Sequence, residues 1–241
     1  RGIPGDEASR VKSQYHTVYA LLGVAAATVA NRPGAHELLE TMLQEQKDYW
    51  IDDYGLVWDQ YDEAFTEPAP VHALGTLIHT IEAYMAAAEA TTEPEWLDRA
   101  EKMTAFAYKV ASKNNWRIPE YYDEEWQPSL EAGKLCNDGR RYHEGYVTGH
   151  SMQLARFTLQ VRAGLRSMGW DVPDYLLEMG TELFERARVD GWRRTGGAPG
   201  FSTGVNDQGD PVPGEDEHQQ WVVCEGVCAA VAVRRAMLDD G

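Results

Sequence analysis

The sequence predicts an all-helical protein, an (α/α)6-type toroid assembled from antiparallel helix hairpins. Apolar residues recur at helical spacing through most of the 241 residues. Helices that are apolar nearly all round alternate with helices that carry one apolar stripe. Polar side chains return at similar places on the apolar helices. The first kind of helix belongs inside a toroid and the second at its surface.

Helices are expected at about 7–30, 35–51, 69–91, 94–114, 146–168, 173–190 and 216–238. The first, third, fifth and seventh are the apolar ones, as in YHTVYALLGVAAATVA and WVVCEGVCAAVAV, and are expected to be inner. The others are amphipathic, as in PEWLDRAEKMTAFAYKV. Thr92-Glu93-Pro94 and Asp171-Val172-Pro173 read as helix starts, with a cap and a proline in the first turn. Asn31-Arg32-Pro33-Gly34 and Met168-Gly169-Trp170 read as stops. Two long connections, 115–145 and 192–214, break the rhythm, and loops of that length in a compact domain usually serve function. In the second, FSTGV and DPV flank Asn206-Asp207-Gln208-Gly209, a small hairpin. Residues 1–241 are read as one toroid domain. The chain opens on Arg1 without a signal-peptide pattern, and is expected to be most of a longer barrel, incomplete at one or both ends.

Composition narrows the function. A formal net charge of −17 opposes binding to nucleic acid and to anionic membranes. No apolar stretch reaches membrane-span length. Three cysteines, 136, 224 and 228, have no zinc-ligand spacing, and Cys224 and Cys228 are expected to be buried thiols in a reducing cytoplasm. Eight Trp and twelve Tyr suit a deep core and also suit stacking on sugar rings.

The polar positions on the apolar helices are His16, His79 with Glu82, His150 with Gln153, and Trp221 with Glu225. Taken singly, each has a plain structural reading. His150 can be a satisfied core histidine. His79 and Glu82, at i and i+3, can be a structural pair, and the same spacing serves half of a dimetal site. Glu225 among Val, Cys and Ala needs an Arg, a His or a ligand hydroxyl. Together, recurring on four inner helices, they suggest one central cavity with His and carboxylate acid–base chemistry lined by aromatics. No serine triad order, phosphate loop or dinucleotide fingerprint is visible.

In that order along the chain, the motifs resemble the N-acylglucosamine 2-epimerase family. They are Lys12-x-x-Tyr15, His79-x-x-Glu82-Ala83, Glu120-Tyr-Tyr-Asp-Glu-Glu-Trp126, Gly149-His150 running on to Ala155-Arg156, GFSTGVNDQGDPV, and Trp221-x-x-x-Glu225-x-x-x-Ala229. The resemblance implies an (α/α)6 barrel. It implies a sugar 2-epimerase or aldose–ketose isomerase that abstracts the C2 proton through histidine and passes through a cis-enediol(ate). It matches His150 to an acid–base histidine and Glu225 to the acidic residue beside it. It matches His79 and Trp221 to sugar contacts, Gln153 to the position one turn after the histidine, and Arg140 to an arginine of the preceding loop, with Arg141 as the alternative. A second catalytic histidine belongs to a more C-terminal part of the family. Gln153 stands where the family has Glu, Thr148 where it has Pro, and Leu77 where it has Asn. No metal or organic cofactor is implied. The partner is a small sugar, of mannose, fructose or glucose type or a disaccharide; nucleic acid and membrane are not expected, and a homodimer is left open. A glycoside hydrolase or lyase on a similar toroid, using Glu120 and Asp123, and a non-catalytic sugar-binding homologue are the competing readings.

Overall fold

The computed structural model describes residues 10–193 and 199–239. The expected starts at residues 7–9, and 194–198 of the second long connection, lie outside the described residues. Eight α-helices are found there, joined by four two-stranded antiparallel ladders. No helix among the described residues is long and apolar enough to cross a membrane.

The chain divides into two compact units, one of Arg1–Met103 with Tyr121–Tyr142, the other of Thr104–Glu120 with His143–Gly241. In the first unit α1 (Gln14–Val29) packs on α2 (Ala35–Glu45) and α3 (Leu74–Thr91). A π turn, Gln46–Trp50, extends α2, and a four-residue α5 (Leu130–Gly133) follows the second hairpin turn. In the second unit α6 (Thr148–Ser167) packs on α7 (Tyr175–Gly191) and α8 (Gln220–Asp239). Gly180 of α7 lets that helix close on α6, because a Cβ there would run into Leu159. The remaining helix, α4 (Pro94–Ala111), shares its residues between the units. These helices match the seven expected from periodicity to within a few residues at most ends.

Burial bears out the expected enclosure of α3 and α6, while α1 and α8 are less enclosed by the described residues. Eleven of the 18 residues of α3 and 13 of the 20 of α6 are buried, against seven of 18 in α4. The other two expected inner helices each bury a single stripe: Gln14, Val18, Leu21 and Ala25 in α1, and Val222, Gly226, Ala229 and Ala236 in α8. Val223, Val227 and Val231 are exposed although apolar. No described element covers that face of α8. Cys224 and Cys228 lie on it and are exposed, so the expectation of buried thiols there is overturned.

A repeat that periodicity does not reveal clips the helix starts. Before α1, α3 and α6 stand two-residue strands, β1 (Lys12–Ser13), β3 (His72–Ala73) and β5 (Tyr146–Val147). Each pairs with a strand from later in the chain: β2 (Gln60–Tyr61), β4 (Tyr121–Tyr122) and β8 (Gly204–Val205). Each partner strand then enters a tight turn that an isolated bridge closes: Tyr61 to Pro68, Tyr122 to Pro128, Val205 to Pro211. In all three an Asx side chain accepts backbone N–H groups. Asp62 takes Thr66, Asp123 takes Glu125 and Gln127, and Asn206 takes Gln208 and Asp210. In all three a residue at positive φ follows three positions after the Asx, namely Phe65, Trp126 and Gly209. The Asn206–Gly209 turn is therefore present as expected. Its flanks bridge each other at Val205 and Pro211 as the hairpin requires; β8 also pairs with β5, and β7 (Gly200–Phe201) with β6 (Trp192–Arg193).

Candidate active site

The start of α6 carries the densest chemistry of the second unit. Thr148 anchors the turn, its N–H on the Thr203 carbonyl at 2.9 Å and its hydroxyl on the Ser202 carbonyl at 2.6 Å. Gly149 follows because nothing larger fits: a Cβ there would overlap the six-membered ring of Trp221. His150 is thereby placed in the first turn, its ring centre 5.5 Å from that of Trp221.

Nδ1 of His150 lies 2.7 Å from Oε2 of Glu120. Glu120 is 3% exposed, and its other oxygen accepts the Val147 N–H at 3.2 Å. A carboxylate on Nδ1 keeps the proton on that nitrogen and leaves Nε2 with the lone pair, the tautomer a general base requires. The positive end of the helix macrodipole favours the buried carboxylate at this place. A second histidine repeats the arrangement. His143 Nδ1 is 2.9 Å from Glu215 Oε2, and Glu215 Oε1 accepts the Glu144 N–H at 2.9 Å. The rings of His143 and His150 meet edge to face with centres 6.5 Å apart.

Two of the expected neighbours of His150 turn away from it. Gln153 donates to Glu225 Oε1 at 3.3 Å. Glu225 is gripped by Arg156 through three contacts of 2.9–3.2 Å. The half-buried acid on α8 is thus satisfied by an arginine of α6, one of the three partners expected for it. His150 bonds to neither, and its Nδ1 is on Glu120.

The first unit holds the other predicted residues. His79 Nδ1 is 3.0 Å from Glu82 Oε2, as its i, i+3 spacing allows, and Nε2 is 2.8 Å from the Tyr19 hydroxyl. Tyr15 packs edge-on against His79, and the Arg140 guanidinium lies 4.7 Å from the centre of the Tyr15 ring. Arg140 also donates to Asp138 at 3.0 Å, to Thr76 at 2.8 Å and to Asp59. Burial works against its charge, but Asp59 and Asp138 outweigh burial and hold the guanidinium protonated. His16 is exposed on α1, and the cost of desolvation lowers its pKa. Among the described residues no cluster of three or more His, Cys, Asp or Glu could hold a metal ion.

Sequence reasoning missed four residues. Glu120 was read only as a hydrolase acid, although the motif containing it was noted. In the second unit His143 meets Glu215, and in the first unit Tyr19 meets His79, pairings that no spacing rule predicts.

The family model of the N-acylglucosamine 2-epimerases matches residues 3–239. A D-mannose isomerase from Thermobifida fusca is 31% identical over 98% of this chain, and one from Pseudomonas cannabina pv. alisalensis is 31% identical over 95%. The chain spans only 57% and 55% of their lengths. Among solved structures, a D-mannose isomerase superposes with a TM-score of 0.82 at 22% identity, over 95% of this chain and 57% of that one. A sugar epimerase from a ruminal bacterium does so with a TM-score of 0.71 at 11% identity, over 97% and 58%. The two solved structures place the fold in the α/α toroid class. With residues 3–239 of its 241 matched by the family model, the chain belongs to the N-acylglucosamine 2-epimerase family.

Proposed function

We propose that the protein interconverts an aldose and its ketose or 2-epimer, with a mannose-type hexose as the first substrate to test. His150 removes the proton at C2; a proton returned to C1 gives the ketose and one returned to C2 from the opposite face gives the epimer, while Trp221 stacks against the sugar beside it. The observation that carries this reading is the short bond from His150 Nδ1 to the buried Glu120 carboxylate. It orients the ring and supports the imidazolium that forms when a carbon acid gives up its proton. The names of the T. fusca and P. cannabina relatives support mannose as the sugar. A hydrolase that uses Glu120 as its acid is disfavoured, because that carboxylate is engaged by His150 and the Val147 N–H.

Glu225 and Gln153 serve in this reading by holding Arg156 and the face of α6. The test is proton NMR of mannose, glucose, fructose and cellobiose with the full-length protein in deuterated water. Loss of the C2 proton signal with appearance of ketose or epimer is expected, unchanged by EDTA. Glycosidic cleavage, or no exchange on any of the four sugars, would overturn the reading.

A further inference from the structure

Cys224 and Cys228 take no part in the proposed reaction. Both are free and exposed, about one helical turn apart on α8. At i and i+4 the two side chains share one face, with Cβ atoms about 5–6 Å apart. A disulfide requires Cβ atoms about 3.5–4.5 Å apart, so an unbroken helix cannot close one between them. A metal ion held between the sulfurs makes a longer bridge. Two metal–sulfur bonds of about 2.3 Å, laid end to end, reach where one S–S bond of about 2.05 Å falls short.

We infer that Cys224 and Cys228 form a two-sulfur site for a soft, two-coordinate metal ion, and that monovalent copper is the ion it takes. The donor set selects the ion. Thiolates prefer Cu(I) and zinc to hard cations such as magnesium and calcium. Structural zinc asks for about four protein ligands. Among the described residues no cluster of three or more His, Cys, Asp or Glu could supply even three. Glu225 stands between the cysteines in sequence, but it lies about 100° round the helix from Cys224 and is held by Arg156. The exposed neighbours on this side of α8, Val223, Val227 and Val231, offer no donor atom in their side chains. Two sulfurs alone complete the linear coordination of Cu(I) and leave zinc half-coordinated.

Binding balances without a redox partner. Each thiol gives its proton to solvent, two copper–sulfur bonds form, and copper stays monovalent. Two protons leave for each ion bound, so affinity rises with pH. The bridge also clamps the turn of α8 that carries Glu225, the residue tied to Arg156 of α6. Neither sulfur enters the proton transfer proposed above, so the copper site holds whether or not the protein is an isomerase.

The experiment is an anaerobic titration of the full-length protein with Cu(I) against a coloured Cu(I) chelator, bathocuproine disulfonate. Wild type is compared with Cys224→Ser, Cys228→Ser and Cys136→Ser, with circular dichroism as the folding control. Wild type and Cys136→Ser should each bind a single copper ion per chain, and copper should raise their Tm. Either serine change on α8 should weaken binding about 100-fold or more, because a chelate loses one of its two arms. If a serine variant does not fold, alanine, the better helix former, replaces it at the same position. Copper held as tightly by the α8 variants as by wild type overturns the inference. So does copper shared between two chains, zinc bound as tightly as copper, or a folded wild type that takes no copper from the chelator.

Discussion

The side-chain amide of Gln153 donates to Glu225 at 3.3 Å and makes no hydrogen bond to His150 one turn before it. Helical spacing allows either contact. Arg156 holds Glu225, and the amide bonds to that carboxylate.

Gln153→Glu should accordingly act on Glu225 rather than on His150. Two carboxylates would compete for one guanidinium in a largely buried place. A loss of about 1 kcal/mol, or about 2–4 °C in Tm, is expected. The acid limb of C2 exchange should move by less than about 0.3 unit. A shift near one whole unit, the size of a close charge effect, would place the new carboxylate on His150 instead.

Glu120→Gln removes the carboxylate that orients His150. An amide can turn its N–H toward Nδ1 and select the wrong tautomer, and it cannot stabilise the imidazolium. The exchange rate at C2 should fall about 100-fold or more, within the range general acid–base groups supply, with KM little changed. A loss confined to KM would assign Glu120 to sugar binding.

Gly149→Ala tests the packing that sets the site. Its methyl would overlap the Trp221 ring, so either the indole or the start of α6 must move. Loss of 1–3 kcal/mol is expected, typical of overpacking. In a Trp221→Ala background the same change should cost almost nothing, and thermal melts of the four-variant cycle measure the difference. Additive costs would mean that the two residues do not meet.

His72 should make the protein acid-sensitive. Its ring is stacked between Trp126 at 4.0 Å and Trp58 at 5.1 Å, with Nδ1 2.9 Å from the Val57 carbonyl. Burial lowers its pKa below the ordinary 6.5. Below pH 6.5 the unfolded chain therefore binds more protons than the folded one, and stability falls with pH. The contribution is complete above 6.5 and is lost as pH drops toward the lowered folded value. His72→Phe keeps the stack and should flatten Tm against pH below 6.5, although its neutral Tm falls with the lost hydrogen bond. An equally steep Tm curve would locate the acid sensitivity elsewhere.

Helix content, helix order and the residues that carry the chemistry were legible in the sequence. Apolar period, caps and prolines are local properties, and Leu77, Ile78 and Ile81 of α3 are buried as their period requires. Gly149-His150, His79-x-x-Glu82 and Trp221-x-x-x-Glu225 stood out because polar groups on apolar helices need a reason. Partners were a different matter. That Glu120 rather than Gln153 holds His150, that Arg156 takes Glu225, and that His143 stands beside His150 on its own carboxylate were decided by ladders joining residues tens of positions apart. So was the exposure of Cys224 and Val227, since periodicity marks an apolar face but not whether another element covers it. Hydrogen-bond choice among several reachable partners depends on three-dimensional competition, and only the folded chain resolves that competition.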